Sequence, residues 1–331
     1  MNPSHPSPSL HAIPVFHDAR MVADSRSFSP SAGKPREVVD SWRRFGEALA
    51  YPRFEPVTRD QLARAHDRTY VDGVLDGTVA NGFGNTRAEV AASLPWTSGA
   101  MLAAARAALA NGAVAVAPVS GFHHACFGHG GGFCTFNGLM VAALALQAED
   151  GVAGVGILDY DMHYGNGTDE ILQRLAPGGI VHYTAGAHYH SPAQAEAFLD
   201  SIPDQVRRFA GCQVLLYQAG ADPHIDDPLG GWLTDAQLAR RDRLVFETCK
   251  AIGLPLAWNL AGGYQTPLRK VLDIHDATMR ACIETWRVGA GSGERTANAG
   301  TDPRRVDAAS ETGSGSETGS GSLPARAQVV H

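Results

Sequence analysis

Five short apolar runs, each followed by a polar or glycine-rich turn, constrain the fold of this chain more than any other feature. The runs occupy residues 113–119, 154–158, 179–183, 213–217 and 254–260. Helix-forming segments with apolar residues three and four positions apart lie between or after them. These segments are residues 138–147, 169–175, 236–252 and 268–287. Such alternation is typical of βαβ units, so the sequence predicts an α/β fold with a mainly parallel sheet flanked by helices.

The distribution of apolar residues predicts a single domain with flexible ends. Residues 13–288 contain ample Ala, Val and Leu for one core, and we expect them to form that domain. We expect residues 1–12 to be a flexible N-terminal segment. Residues 289–331 are rich in Gly, Ser, Thr and Glu and have no apolar period, so we expect a disordered tail.

Charge and cysteine content restrict the class of protein. The net charge is -7, and Lys and Arg are scattered and form no basic stripe, so no nucleic-acid partner is expected. The five cysteines form no Cys-x-x-Cys pair and leave one unpaired in any disulfide scheme, which is typical of a reducing compartment. No export signal and no run of about 18 apolar residues is found, so no membrane span is expected. We predict a cytoplasmic protein and leave its oligomeric state open.

Chemically capable side chains follow the ends of the apolar runs. His123 and His124 follow the first run, Asp159, Asp161 and His163 the second, Asp222 the fourth and Tyr264 the fifth. Because the carboxyl ends of parallel strands meet at one edge of a sheet, we expect these groups to cluster there. The alternate spacing of Asp161 and His163 lets both side chains reach one cation if that stretch is extended.

Two carboxylates and one imidazole are a ligand set suited to a catalytic metal. Asp161, His163 and Asp222 would leave coordination positions open for water and substrate, as catalytic Zn²⁺ requires. An oxygen-rich set of this kind also accepts other first-row divalent ions. The sequence therefore predicts a hydrolytic metal site, with zinc as the first choice.

Further residues suit acid-base chemistry around such a site. The imidazole of histidine has an unperturbed pKa of about 6.5, so the adjacent His123 and His124 suit proton transfer near neutral pH. Asp159 and Asn166 are candidates to orient them. Tyr264 follows two glycines and could stabilise an oxyanion. Residues 130–132 are all glycine, which would allow backbone and substrate to approach closely.

Several separated motifs resemble, in the same order, those of the histone deacetylase and acetylpolyamine amidohydrolase superfamily. The motifs are Leu62 to Val71, His123-His124, Gly132 to Asn137, Asp159 to Gly167, Gly220 to Asp222, Asp227 to Gly231 and Gly262 to Tyr264. The resemblance implies a three-layer, arginase-like α/β fold and the zinc-dependent removal of an acetyl or short acyl group. It implies an acylated amine as the substrate, either acetyl-lysine in a protein or peptide or an acetylpolyamine.

The resemblance also implies a role for each matching residue. Zinc would be bound by Asp161, His163 and Asp222, while Tyr264 polarises the acyl carbonyl. His124 would act as general base and then general acid. His123 would be its electrostatic neighbour and would be oriented by Asp159.

The same resemblance assigns three further features. The Gly132 carbonyl would accept the substrate amide N–H, and Phe133 would form one wall of the acyl-lysine tunnel. A structural K⁺ or Na⁺ would lie near Asp159, Asp161, His163 and Thr184.

The chain departs from the family pattern in three respects: at Asn166, in the stretch after Tyr183, and in the short segment between Thr184 and Gln213. Asn166 stands where one branch has Asp, as in members that resemble the second eukaryotic class. The segment after Tyr183 lacks the usual loop and is short as far as Gln213, so no second tunnel wall is assigned and the pocket rim is expected to be open on that side.

Two alternatives remain open at this point. An arginase-like dimanganese ureohydrolase also uses an Asp-x-His pair, but it needs more carboxylates, and Gly165 stands where one would be expected. An acyl-binding protein without turnover is the other alternative, although His124, Tyr264 and the ligand triad are all present.

Overall fold

The computed structural model describes residues 10–287 of the 331-residue chain. These residues all belong to one compact unit. The predicted tail, residues 289–331, lies outside the described residues, as do residues 1–9 of the predicted N-terminal segment. The Leu10 N–H donates to the Trp286 carbonyl at 2.7 Å, so the beginning of the described chain is held against its end.

Seven strands occur within the described residues, and five of them form the central sheet. The strands are β1 (Ile13–Pro14), β2 (Leu49–Ala50), β3 (Val114–Ala117), β4 (Val155–Asp159), β5 (Ile180–Thr184), β6 (Val214–Gln218) and β7 (Leu256–Asn259). The central sheet is wholly parallel and has the order β3-β7-β6-β4-β5, while β1 and β2 form a separate parallel pair.

Nine α-helices accompany these strands in residues 10–287. They are α1 (Lys34–Trp42), α2 (Arg59–Ala65), α3 (Arg68–Leu75), α4 (Ala88–Asn111), α5 (Gly138–Asp150), α6 (Asn166–Leu175), α7 (Ala195–Arg207), α8 (Asp235–Ile252) and α9 (Arg269–Trp286). Local chemistry fixes several ends. Thr58 and Thr234 begin α2 and α8 with capping boxes, and left-handed glycines at 112, 151 and 253 end α4, α5 and α8.

The sheet is covered on both faces, which produces three layers. Along β6, Leu215 and Tyr217 pack into one core cluster, whereas Val214 and Leu216 pack into the other. Because successive side chains of a strand point to opposite faces, the two clusters are the two helix-sheet interfaces. The α/β fold class predicted from the sequence is therefore observed.

Each predicted run became a strand within one or two residues of its expected bounds, but some helices were not predicted. These are α1 to α4 and α7. In α4 apolar and small residues continue around the helix, and twelve of its residues are buried, so no polar stripe marks its period. None of the described helices combines the length and apolar character that crossing a membrane requires.

Candidate active site

Three side chains converge at the carboxyl end of β4 and β6. One donor atom each from Asp161, His163 and Asp222 lies within 4.8 Å of the other two, and this is the one cluster of this kind in residues 10–287. His163 Nδ1 lies 3.2 Å from Asp161 Oδ1 and 3.1 Å from Asp222 Oδ2. The structure thus brings together the three residues predicted as metal ligands.

The ligand segment is held by short turns and not by continued strand. β4 ends at Asp159, whose Oδ1 accepts the Asp161 N–H at 3.1 Å. Asp161 Oδ1 in turn accepts the His163 N–H at 3.0 Å. Each carboxylate therefore caps the backbone two residues further on, as in an Asx turn. The alternate spacing brings the ligands together, but through these turns and not through the extended backbone assumed from the sequence.

The charges of this cluster are strongly coupled. Burial and the neighbouring Asp161 carboxylate raise the pKa of Asp222 above its usual range. Hydrogen bonds to Asp161 and Asp222 raise the pKa of His163 to about 11. Two buried carboxylates this close repel each other when both are charged, and both have lost hydration.

The surroundings of the two carboxylates fit a divalent cation. Asp161 is 3% exposed and Asp222 is 0% exposed. A Cβ at Gly262 would lie 2.3 Å from Asp222 Oδ2 and 2.9 Å from Asp161 Oδ2, so only glycine leaves these oxygens free to face the cluster. A cation bound by the three donors would offset the repulsion, and two oxygens with one imidazole nitrogen suit zinc and several other first-row ions.

The paired histidines lie beside the ligand cluster with the partners predicted for them. His123 Nδ1 is 2.7 Å from Asp159 Oδ2, and His124 Nδ1 is 2.6 Å from Asn166 Oδ1. The two imidazole rings are 4.0 Å apart. Both orienting contacts use Nδ1, so neither of them occupies the Nε2 atom of its histidine.

The two imidazoles have opposite pKa shifts. Burial disfavours the charged form of His123, but Asp159 and Asp161 outweigh this effect and raise its pKa to about 9. Burial and the adjacent His123 lower the pKa of His124 to about 4. His124 is therefore the neutral member of the pair and the one able to accept a proton near neutral pH.

Tyr264 and the glycine-rich loop complete the pocket. Burial and the charge of Asp222 raise the pKa of Tyr264 well above its usual value, so its hydroxyl stays protonated. Its ring centroid is 5.7 Å from that of Phe133. At Gly132 φ is +53° and a Cβ would lie 2.4 Å from His124 Cδ2, so this position requires glycine both for its conformation and for the close approach.

Thr184 lies beside Asp159 in the central sheet. It is the last residue of β5 and pairs in register with Asp159 of β4, and its Oγ1 accepts the Gly165 N–H at 3.1 Å. A monovalent cation at Asp159, Asp161, His163 and Thr184 stays a prediction.

Lys34 is a site residue that the sequence did not reveal. Its side chain is fully buried, and its ammonium donates to the Ala261 carbonyl at 2.7 Å and to the Gly262 carbonyl at 3.1 Å. It therefore fixes the loop that leads to Tyr264. Burial lowers the pKa of Lys34 to about 8, against the attraction of Asp222 and nearby carboxylates. A single lysine at the start of a helix carries no pattern that would identify it.

Arg241 is a second site residue that was not predicted, although the local sequence contains a pattern that could have identified it. This fully buried arginine donates to the carbonyls of Gly220 at 2.7 Å and Tyr160 at 3.1 Å, each close to a metal ligand in sequence. It pairs with Asp242 at 2.8 Å. Both lie on the buried face of α8, three and four residues after Leu238, and a charged pair on an apolar helical face indicates a buried network.

Comparison with known proteins gives a consistent result. The sequence model of the histone deacetylase domain matches residues 32–192. Histone deacetylase 15 of Arabidopsis thaliana is 34% identical over 310 residues, covering 78% of this chain and 54% of that protein. Acetylpolyamine amidohydrolase of Burkholderia pseudomallei is 32% identical over 165 residues, covering 40% of this chain and 47% of that protein. The chain thus spans about half the length of these two relatives.

The fold comparison agrees with the sequence comparison. The crystal structure of the HDA15 HD domain superposes with a TM-score of 0.69 at 21% identity, covering 85% of this chain and 92% of that one. The fold class and the family predicted from the sequence are both confirmed. The chain belongs to the histone deacetylase and acetylpolyamine amidohydrolase superfamily.

Proposed function

We propose that the chain is a zinc-dependent deacylase that removes an acetyl or short acyl group from an acylated amine. The observation that carries this proposal is the convergence of Asp161, His163 and Asp222 beside a neutral His124 and a protonated Tyr264. Family membership supports the coarser part of this proposal, a hydrolase acting on acetylated amide bonds. Zinc, the residue roles and the substrate belong to the proposal.

Asp161, His163 and Asp222 would hold the ion, with other first-row divalent ions as alternatives to zinc. When bound, such an ion supplies Lewis-acid polarisation of a carbonyl and makes water more acidic. The site residues supply the proton transfers and the oxyanion contact. The ligand segment need not move for these steps, because the turns at Asp159 and Asp161 and the contacts of Arg241 already hold that segment in place.

His124 would accept the proton of the attacking water at Nε2 and return it to the leaving amine nitrogen. Its Nδ1–H donates to Asn166 Oδ1, which fixes the tautomer that leaves Nε2 free as a base. An amide in this role adds no negative charge, and this agrees with the low pKa of His124. The cationic His123 beside it would favour the developing negative charge of the tetrahedral intermediate.

Tyr264 would donate its hydroxyl proton in a hydrogen bond to the oxyanion, since its raised pKa keeps it a donor. The Gly132 carbonyl would accept the substrate amide N–H, and Phe133 would line the acyl-amine channel. The substrate is an acetylated amine, either acetyl-lysine in a protein or peptide or an acetylpolyamine. A structural K⁺ or Na⁺ and a cytoplasmic location complete the proposal.

The arginase-like alternative is disfavoured by one contact. A Cβ at Gly165 would lie 2.7 Å from Asp159 Oδ2 and 3.1 Å from a ring atom of His182. The position where a further carboxylate would be expected therefore has no room for one. The intact His124 and Tyr264 likewise favour turnover over simple acyl binding.

The test is hydrolysis of a panel of acetyl-lysine peptides and acetylpolyamines by zinc-loaded protein, with Tyr264→Phe as the comparison. Loss of one oxyanion donor should reduce kcat by about 100- to 1,000-fold. Zinc affinity should not change, because Tyr264 is not one of the three donors. Turnover of no substrate above the level of Tyr264→Phe would reject the proposal.

A further inference from the structure

Phe28 lies beside the active site and is the most exposed large hydrophobic side chain in residues 10–287, at 74%. Its ring centroid is 5.1 Å from that of Phe133, and the two planes meet at 89°. This is an edge-to-face aromatic pair. An exposed ring that contacts a residue of the pocket is available to a ligand entering that pocket.

Three aromatic rings form a series from the interior to the surface. Tyr264 is mostly buried, Phe133 is partly buried and Phe28 is exposed. Phe133 contacts both of the others, at 5.7 Å and 5.1 Å between ring centroids. Phe28 therefore lies at the outer end of the surface that begins at the proposed oxyanion donor.

The loop that carries Phe28 is anchored on both sides of the ring. The Ala23 N–H donates to the Ala32 carbonyl at 3.1 Å, which closes the base of the loop. Asn85 Nδ2 donates to the Ser25 carbonyl at 3.1 Å. These hydrogen bonds hold the backbone of the loop that carries the ring, which lowers the entropic cost of ordering this loop for a ligand.

The turn that follows β5 offers no aromatic surface to the site. The segment after β5, Ala185–Ala187, has no side chain larger than a methyl group. A Cβ at Gly186 would lie 2.2 Å from the His163 carbonyl carbon, so this turn packs directly on the ligand backbone. Phe83 also lies against Phe133, at 6.0 Å between ring centroids, but it is only partly exposed, so the exposed aromatic neighbour of Phe133 is the one on the loop before α1.

Charge around Phe28 favours an apolar ligand group over a cationic one. Residues 22–37 contain two carboxylates, Asp24 and Glu37. Asp24 lies 3.7 Å from Arg26, and Glu37 lies 3.5 Å from Arg36. Each carboxylate is next to an arginine, so this loop has no unpaired acid to attract a second ammonium group of a polyamine.

We propose that Phe28 and Phe133 form an aromatic clamp at the entrance of the pocket. This clamp favours acyl-lysine peptides in which the residue next to the acyl-lysine is apolar. The inference rests on the proposed function, because it takes the pocket as the site that receives the acylated amine. Phe28 would contact the part of the substrate that remains outside the pocket. A small acetylated amine would end before reaching it.

The test compares two acetyl-lysine peptides that differ only in having Leu or Gly after the acetyl-lysine, together with N-acetylputrescine. The zinc-loaded full chain is measured as wild type, Phe28→Ala and Phe28→Leu. Tyr51→Ala is the matched control, since it removes an aromatic ring that is 44% exposed elsewhere on the surface. Dissociation constants come from fluorescence anisotropy of labelled peptides, and kcat/KM comes from product release.

Phe28→Ala should weaken binding and lower kcat/KM of the Leu peptide by about tenfold, the effect of losing one well-buried aromatic contact. The Gly peptide and N-acetylputrescine should change little, Phe28→Leu should keep most of the affinity, and Tyr51→Ala should match wild type. Equal affinity of wild type and Phe28→Ala for the Leu peptide would overturn the clamp. So would an equal loss on all three substrates, which would indicate general damage to the site.

The same experiment separates the clamp from the proposed function. Peptide binding that follows the expected pattern without any hydrolysis would reject the deacylase and retain the clamp. Hydrolysis that is indifferent to Phe28 would retain the deacylase and reject the clamp. Wild-type protein that binds neither peptide would reject both.

Discussion

Gly262→Ala is the substitution that tests the proposed metal centre most directly. The added Cβ would lie 2.3 Å from Asp222 Oδ2, whereas ordinary contact begins at 3.4 Å. The carboxylate or the loop must therefore move by about 1 Å, and metal-ligand distances tolerate only about 0.2 Å. The φ of Gly262 is not positive, so the alanine meets no backbone penalty and the contact alone is tested.

Neither partner in this contact can move freely. The Gly262 N–H donates to Asp161 Oδ2 at 2.9 Å, and Lys34 holds the Gly262 carbonyl at 3.1 Å. Asp222 Oδ1 lies 3.3 Å from the Met162 N–H that donates to it. We expect zinc affinity to fall by about 100-fold, the upper range for a disturbed ligand shell. Overpacking should also cost about 1 to 3 kcal/mol of unfolding free energy.

The assay is a competition titration of zinc against a chromophoric chelator, combined with thermal unfolding in excess chelator. Gly128→Ala is the matched control, because a Cβ there meets nothing within 4 Å and its φ is not positive. It should bind zinc as wild type does. Tight zinc binding by Gly262→Ala would refute the assignment of Asp161 and Asp222 as the ligands facing this glycine.

Two further predictions concern residues around the proton-transfer groups. Asn166→Asp places a carboxylate where the amide oxygen lies 2.6 Å from His124 Nδ1, so the low pKa of His124 should rise. Because the base must be neutral, the acidic limb of the kcat/KM profile should move to higher pH, and an unshifted limb would contradict the base assignment. Lys34→Met leaves two loop carbonyls without their donor, which should lower the unfolding free energy by about 1 to 3 kcal/mol, measured by denaturant titration. It should also lower kcat more than it changes KM, since Tyr264 loses its support; unchanged stability and kcat would show that Lys34 supports neither.

The sequence predicted the parallel sheet because buried parallel strands are short, continuous apolar runs. Such runs can be identified from the local sequence alone. It also predicted which residues meet, since the candidate metal ligands and histidines lie at or after the carboxyl ends of strands, and these ends share one edge. Asp161, His163 and Asp222 are the clearest case, with donors within 4.8 Å of one another. The partners of His123 and His124 were likewise found where they were expected.

Other features depend on contacts between distant parts of the chain. Lys34 reaches carbonyls more than 200 residues away, and no local pattern marks a lysine that will be buried. Phe28 meets Phe133 because two loops, separated by about a third of the chain, are folded against each other.

The sequence by itself determined the strand periodicity, the family and the identity of the groups that do chemistry. These are properties of local pattern and residue type. The tertiary structure alone decided the charge states of those groups and the shape of the pocket around them. Desolvation and neighbouring charges act on a side chain only once the chain is packed. For this reason His123 and His124, two adjacent residues of the same type, have pKa values shifted in opposite directions.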